Sequence, residues 1–180
     1  KSELGLELSE TKTLVTPVTE PMRFLGHHVR VRRHPVNGLM VAATLVPRTA
    51  SHKLRERIKD LFRNVTFGKS LGNRLQELNP LLRGWSHFYC HAWGAKRVFA
   101  SIDHYVWWTI LRWLRKKHRR VNMATLLQRY GKRSPRGGLY SWRDGGVEPF
   151  KMARRRVQPF QLGWMKTPGF ATSTSAEPDA

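Results

Sequence analysis

The side chains of this sequence best suited to chemistry are its arginines and lysines, and the chemistry that they favour is the binding of phosphate. Between Asn79 and Arg120 they alternate with aromatic and apolar residues. The run from Arg115 to Arg120 consists of six Arg, Lys and His residues in succession. A helix dipole attracts cations to its last turn, but a run of this length exceeds what the dipole would explain. The pattern therefore predicts a polyanionic ligand.

Phosphate contacts are predicted on cationic helical faces and in a later basic cluster. The alternative is a solvated surface, but such a surface normally mixes signs, and these segments contain few acids. Six phosphates bound by the run at 115–120 would make log affinity fall with log salt at a slope of about −4 to −5. The predicted contacts are Lys53, Arg57, Lys59, Arg63, Lys69, Arg74, Arg83, Arg112, Arg115, Lys116, Lys117, Arg119, Arg120, Arg154, Arg155 and Arg156.

The aromatic residues of the same stretch allow two interpretations. They could stack on unpaired bases, which is worth about 1 to 3 kcal/mol per base, or they could form the contacts between helices. Their spacing along one helical face favours the second interpretation, also for Trp107 and Trp108. The predicted structural core comprises Trp85, Phe88, Tyr89, Ile102, Tyr105 and Trp113.

The composition is that of a folded and strongly basic protein. In 180 residues, 33 Lys and Arg stand against 12 Asp and Glu, which gives a formal net charge of +21, and 40% of the residues are hydrophobic. That hydrophobic fraction argues against disorder. Half of the acidic residues lie in 1–20 and 171–180, so the positive charge belongs to the centre of the chain. A protein of this kind most often binds a polyanion.

Several other classes of protein are excluded. The single cysteine, Cys90, cannot form an intramolecular disulfide and fits a reducing compartment, so we expect a cytoplasmic protein. No apolar run of about 18 residues could span a membrane, and residues 1–8 lack the features of a signal or transit peptide. A zinc site at His87, Cys90 and His91 would need a fourth ligand and has poor spacing. We expect no metal there.

The first elements that position these side chains form a small antiparallel β element within residues 14–46. Residues 14–18 are an extended run that ends with a proline. Residues 22–31 show alternating apolar positions, Asn37-Gly38 suits the turn of a tight hairpin, and residues 39–46 would be the return strand. The fold class is mainly α, a helical bundle preceded by this β element.

From Pro47 the apolar period becomes helical. Ser51 is predicted to be the N-cap of a first helix, with an apolar stripe at Leu54, Ile58, Leu61 and Phe62. A second, short helix is expected at 70–78. A third would run from Pro80 to about His91, because proline suits the first turn of a helix.

The longest helix is predicted at about 95–118. Asn122 would cap a last helix that ends at Gly131. Residues 134–138 are predicted to be a loop, 139–142 a short strand, 131–170 as a whole a basic extension, and 171–180 a disordered tail.

Three segments together carry a family resemblance. They are Lys12-Thr13, Phe24-Leu25-Gly26 and the block 78–89, which contains Arg83-Gly84-Trp85. In their order and spacing they resemble the C-terminal half of group II intron-encoded reverse transcriptases, over roughly residues 1–165. The resemblance implies the end of a polymerase palm at 1–46 and a helical thumb at 47–130, which is called domain X or the maturase-specific domain.

The resemblance also implies roles for particular residues. Lys12 would be a general acid that protonates the leaving pyrophosphate, and the alternative is an ordinary surface lysine. Phe24, Leu25 and Gly26 resemble a hairpin that grips the primer, and they could equally be part of the sheet core.

One departure from the family concerns catalysis. The related polymerases hold two Mg²⁺ ions with a Tyr-Ala-Asp-Asp turn upstream of the Lys-Thr segment, and no Asp-Asp pair occurs in this sequence. Cys-x-x-Cys pairs, typical of the optional endonuclease, are also missing. We therefore expect a fragment without a cofactor of its own, consisting of the last palm strands and the thumb.

The resemblance and the charge together imply a function. The expected partners are structured group II intron RNA and an RNA–DNA duplex, bound through the backbone to assist splicing and reverse transcription in a bacterial cytoplasm. Two alternatives stay open. The chain could be one half of a split RNA-directed DNA polymerase, active only with a separate palm and fingers polypeptide, or a non-specific basic module that binds any nucleic acid.

Overall fold

A computed structural model of the chain describes residues 17, 20–33, 38, 40–63, 68–133 and 140–158. The predictions for Lys12, for the loop at 134–138 and for the tail at 171–180 lie outside these residues. Within the described part, the fold is mainly α with a small antiparallel β element before the helices, as predicted. No helix there is both long and apolar enough to cross a membrane.

The β element is a three-stranded antiparallel sheet in the order β1-β2-β3. Strand β1 is Met22–Phe24, β2 is His27–Arg33 and β3 is Met40–Leu45. The predicted return strand is confirmed by β3, in which Leu45 pairs with His28 and Met40 with Arg33. The backbone of Trp93 donates a hydrogen bond of 2.7 Å to the carbonyl of Thr44, so the sheet is joined to the helices.

The predicted extended run at 22–31 is interrupted by a two-residue turn. Leu25 and Gly26 have φ angles of 45° and 78°, so both residues lie in the left-handed region that a tight hairpin turn requires. The sequence did not indicate this turn, because leucine rarely adopts a positive φ.

Helix α1 spans Arg48–Arg63 and begins earlier than predicted. The carbonyl of Pro47 accepts hydrogen bonds from the backbone N–H groups of Ala50 and Ser51. The hydroxyl of Ser51 donates to the carbonyl of Arg48 at 2.8 Å. The assignment of Ser51 as N-cap is therefore wrong, and the helix starts directly after Pro47, whose ring fixes a suitable φ.

Helix α2 spans Leu71–Phe88 and replaces the two helices predicted on either side of Pro80. Ser70 caps it by accepting a hydrogen bond from the N–H of Asn73. Pro80 removes one helical N–H, but Pro80 and Gln76 are exposed, so water can reach the carbonyl that loses its partner. Leu78 and Leu82 are both buried in one core, and this packing keeps the helix continuous through the proline.

The later elements follow the prediction closely. Helix α3 spans Ala95–Lys117 and α4 spans Met123–Tyr130. Asn122 caps α4 by accepting a hydrogen bond of 2.9 Å from the N–H of Thr125. Gly131 ends α4 with a φ of −91°; glycine is needed there because a Cβ would collide with the carbonyl of Leu127.

Residues 140–158, which we call the strap, pack back onto the helices. Strand β4, Gly131–Lys132, pairs with β5, Ser141–Trp142, and a 3₁₀ helix follows at Met152–Arg154. The side chain of Trp142 is fully buried and its Nε1 donates to the carbonyl of Trp107.

A single core joins the helices and the strap. Its centre lies where α1, α2 and α3 meet. The core includes Leu54, Ile58, Phe62, Leu75, Leu78, Leu82, Phe99, Ile102, Val106, Ile110, Leu114, Leu126, Trp142 and Met152.

Candidate nucleic-acid interface

Helices α1 and α3 border a surface groove of about 400 Å³. Lys59 and Arg63 line it from α1, and Arg112 and Lys116 line it from α3. In each helix the two cations are four residues apart, so they lie on one face about 6 Å apart along the axis. All four side chains are exposed. The groove is therefore positively charged on both sides.

The floor of the groove consists of side chains that belong to the core. Phe62 and Trp113 are buried and meet edge to face, with ring centroids 6.0 Å apart. Tyr105 and Thr109 complete the lining, and the hydroxyl of Thr109 donates to the carbonyl of Tyr105 at 2.8 Å. Because these residues are fixed by helix packing, the cations stand on a rigid base.

Carboxylates do not line this groove. None of the described residues that line it is acidic. On α1, Glu56 lies 3.5 Å from the Nδ1 atom of His52. On α3, Asp103 is turned inward, where its carboxylate accepts hydrogen bonds from the N–H groups of Met152 and Ala153. Partial burial raises the pKa of Asp103, although these hydrogen bonds and nearby cations act in the opposite direction.

Two of the predicted phosphate contacts are held by a carboxylate. Lys69 and Arg74 donate to the two oxygens of Glu77 at 2.8 and 3.0 Å. The hydrogen bond from Lys69 is the main reason that the pKa of Glu77 is below its ordinary value. Arg74 is only 6% exposed. The prediction for Arg74 is therefore wrong, since its guanidinium is buried against the protein and serves the fold.

Lys117 and Arg155 are also engaged within the protein. The ammonium of Lys117 donates to the carbonyl of Lys69 at 2.6 Å and lies 5.0 Å from the ring centroid of Trp113. The Nε atom of Arg155 donates to the buried hydroxyl of Ser86 at 3.1 Å. Both cations hold elements together, which sequence reasoning could not distinguish from binding.

The other predicted cations are exposed but do not line the groove. Arg83 lies over the ring of Phe150 at 5.5 Å. Arg154 and Arg156 lie on the strap, which follows the four helices in sequence. The exposed residues of this group are Lys53, Arg57, Arg83, Arg115, Arg119, Arg120, Arg154 and Arg156.

The hairpin of Phe24, Leu25 and Gly26 lies against the C-terminal end of α2. The hydroxyl of Tyr89 donates to the carbonyl of Gly26 at 3.1 Å. Phe24 and Leu25 are exposed at the turn, so they are not sheet core. Burial raises the pKa of Tyr89, which therefore stays protonated and can keep this hydrogen bond.

The aromatic residues divide into core and surface in a way that the spacing did not predict. Tyr89, Ile102 and Trp113 are buried, and Trp85 and Tyr105 are half-buried against the core. Phe88, the last residue of α2, is 51% exposed, although its ring stacks on His27 at 5.0 Å and meets Tyr89 edge to face at 4.8 Å. The prediction that Phe88 is core is wrong.

Trp108 is likewise not core, since it is 42% exposed. The same side of α3 exposes His104, Arg112 and Arg115. This spacing of three and four residues is the signal in the sequence that would have placed Trp108 on the surface.

The described residues do not provide a metal site. No group of three or more His, Cys, Asp or Glu side chains among them could hold a metal ion.

The helical part of the chain matches a known protein family. Residues 51–131 match the model of the family described as group II intron, maturase-specific domain. The match includes all four residues that carry the charge of the groove, and it ends where α4 ends. No curated protein matches the chain.

Proposed function

Because residues 51–131 form a group II intron maturase-specific domain, we propose that this chain binds structured group II intron RNA through the α1–α3 groove and so assists the folding of the intron for splicing. The observation that carries the proposal is the groove itself. Lys59, Arg63, Arg112 and Lys116 face one space, and none of the described residues that line this space is acidic.

The chemistry of the groove suits an RNA backbone. A-form RNA is recognised mainly through its phosphates and 2′-hydroxyls and through its shape. Four cations on a rigid base provide charge for phosphates, and the floor of aromatic and apolar side chains provides few groups that could read base edges. The groove therefore favours binding by structure rather than by sequence.

The test compares two double variants of α1 that remove the same charge. Lys59 and Arg63 line the groove, whereas Lys53 and Arg57 have the same spacing and are exposed on another face of the helix. We expect K59A/R63A to weaken binding to a structured intron RNA and K53A/R57A to weaken it much less. Thermal unfolding of both variants should match that of the original protein, because all four side chains are exposed.

A salt titration gives the size of the effect. Each phosphate contact contributes about 0.7 to 0.9 to the slope of log affinity against log salt. The variant with all four substitutions, K59A/R63A/R112A/K116A, should therefore have a slope that is shallower than that of the original protein by about 3 to 4. Binding as tight as that of the original protein, with an unchanged slope, would refute the proposed groove.

Two further measurements address the alternative functions. Complete loss of intron RNA binding in the presence of unrelated duplex DNA would indicate a non-specific module. Polymerase activity that appears only with a co-purifying palm and fingers polypeptide would indicate one half of a split enzyme.

A further inference from the structure

The indole of Trp108 is held in a defined orientation on the surface of α3. Its Nε1 donates to the Nε2 atom of His104 at 2.9 Å. Its ring meets the ring of Trp107 edge to face, with centroids 5.0 Å apart and planes at 81°. Two contacts thus fix a large aromatic ring, and 42% of the residue is nevertheless exposed.

Trp107, and not Trp108, makes the packing contact with the strap. The ring of Trp107 lies 5.3 Å from that of Trp142, and its Nε1 donates to the carbonyl of Tyr140 at 2.6 Å. The indole of Trp142 in turn donates to the carbonyl of Trp107. Because Trp107 already holds the strap, the strap does not explain why position 108 is also a tryptophan.

The surroundings of Trp108 are cationic. One turn further along the same face lies Arg112, which borders the groove, and Arg115 follows it. Asp103, the acidic residue of α3, points toward the strap and is occupied there. An exposed aromatic ring beside two arginines suits a ligand that has both negative charge and flat apolar groups. An unpaired nucleic acid strand has both.

We propose that Trp108 stacks on an unpaired base of the RNA whose backbone lies in the α1–α3 groove. The proposal rests on the proposed function and deepens it, because it adds a site for a single-stranded nucleotide next to the site for the backbone. Every base has a π face, so stacking at Trp108 tolerates any sequence. His104 is a positioning residue, since it holds the indole by a hydrogen bond.

The experiment uses the full chain and two RNAs. One is a blunt RNA duplex, and the other is the same duplex with a short single-stranded 3′ extension. The original protein should bind the extended RNA more tightly. W108A should lose about 5- to 140-fold of affinity for the extended RNA, as expected for one stacked base, and should bind the blunt duplex unchanged. W108F should recover part of the loss, because a phenyl ring still offers a face.

The salt slope and a matched control make the result specific. Trp108 carries no charge, so W108A should leave the slope of log affinity against log salt unchanged. The control is F88A, which removes another exposed aromatic ring. Phe88 is the last residue of α2, a helix that does not line the groove. F88A should bind both RNAs like the original protein.

Three outcomes would overturn the proposal. W108A could bind the extended RNA as tightly as the original protein does, or it could weaken both RNAs equally together with a lower melting temperature. It could also change only the self-association of the RNA-free protein, which would mark a protein contact. If K59A/R63A and R112A/K116A weaken binding while W108A does not, the stacking site alone is refuted; if none has an effect, the proposed function fails as well.

Discussion

Substitution of Asn79 by alanine is expected to release the strap from α2. The side-chain amide of Asn79 donates through Nδ2 to the carbonyl of Glu148 at 2.9 Å, and its Oδ1 accepts from the N–H of Phe150 at 2.7 Å. One side chain in the middle of a helix thus satisfies two backbone groups that are about 70 residues away in sequence.

The magnitude follows from the two backbone groups that lose their partner. A buried polar group left without a hydrogen bond costs about 1 to 3 kcal/mol. Asn79, Glu148 and Phe150 are half-buried, so water can partly replace the amide. We therefore expect N79A to lower the free energy of unfolding by about 2 to 4 kcal/mol in total. N79D should lose less, because a carboxylate still accepts from Phe150 but repels the carbonyl of Glu148.

Urea denaturation and amide hydrogen exchange measure the effect. The matched control is Q76A, which removes a similar amide from the exposed face of the same helix and should change stability by less than about 0.5 kcal/mol. Exchange should speed up in the strap before it does so in α3. If N79A unfolds at the same urea concentration as Q76A and the strap amides keep their protection, the anchoring role of Asn79 is wrong.

Two other substitutions test the turn and the ion pairs. L25N should stabilise the sheet by about 0.5 to 1 kcal/mol in urea denaturation, because asparagine tolerates the φ of 45° better than leucine does and Leu25, 77% exposed, buries little; a destabilised variant would contradict this. E77Q tests the lowered pKa of Glu77. Because the pKa of this carboxyl is lower in the folded protein than its ordinary value of 4.5, its charged form stabilises the fold fully above pH 4.5, and this stabilisation is lost as the pH falls through the lower pKa of the folded protein. The difference in free energy of unfolding between the original protein and E77Q should therefore shrink as the pH falls below 4.5, and a constant difference down to pH 3 would show that the charge of Glu77 is irrelevant.

The elements that the sequence predicted well are those with a strong local signal. The apolar period of α3 and the cap at Asn122 fixed the positions of α3 and α4 to within about one residue, because capping and amphipathic burial act within a few turns. The return strand β3 was equally clear. In each case the local preference and the tertiary packing agree.

The failures arise where packing overrides a local preference. Pro80 normally marks the first turn of a helix, yet leucines on both sides of it belong to one core, and α2 continues. Leu25 adopts a positive φ because the hairpin is held from outside by Tyr89. Neither contact is visible before the chain is folded, since each joins segments that are distant in sequence.

The candidate site could be predicted as a set of cations but not as a surface. Whether an arginine or lysine can bind a ligand depends on which acceptors the fold brings beside it. Glu77 meets Lys69 and Arg74, and a backbone carbonyl meets Lys117. The groove cations differ from these in their surroundings, not in their residue type.

The use of the acidic residues explains why the groove keeps its charge. Five carboxylates of the helices and the strap contact a histidine, cations or backbone N–H groups of the protein; they are Glu56, Glu77, Asp103, Asp144 and Glu148. These contacts lie away from the groove, whose described lining residues include Lys59, Arg63, Arg112 and Lys116 and no carboxylate. A polyanion that binds the folded protein there would stabilise the folded state by mass action. If the proposed function holds, the free energy of unfolding should therefore rise with the concentration of RNA.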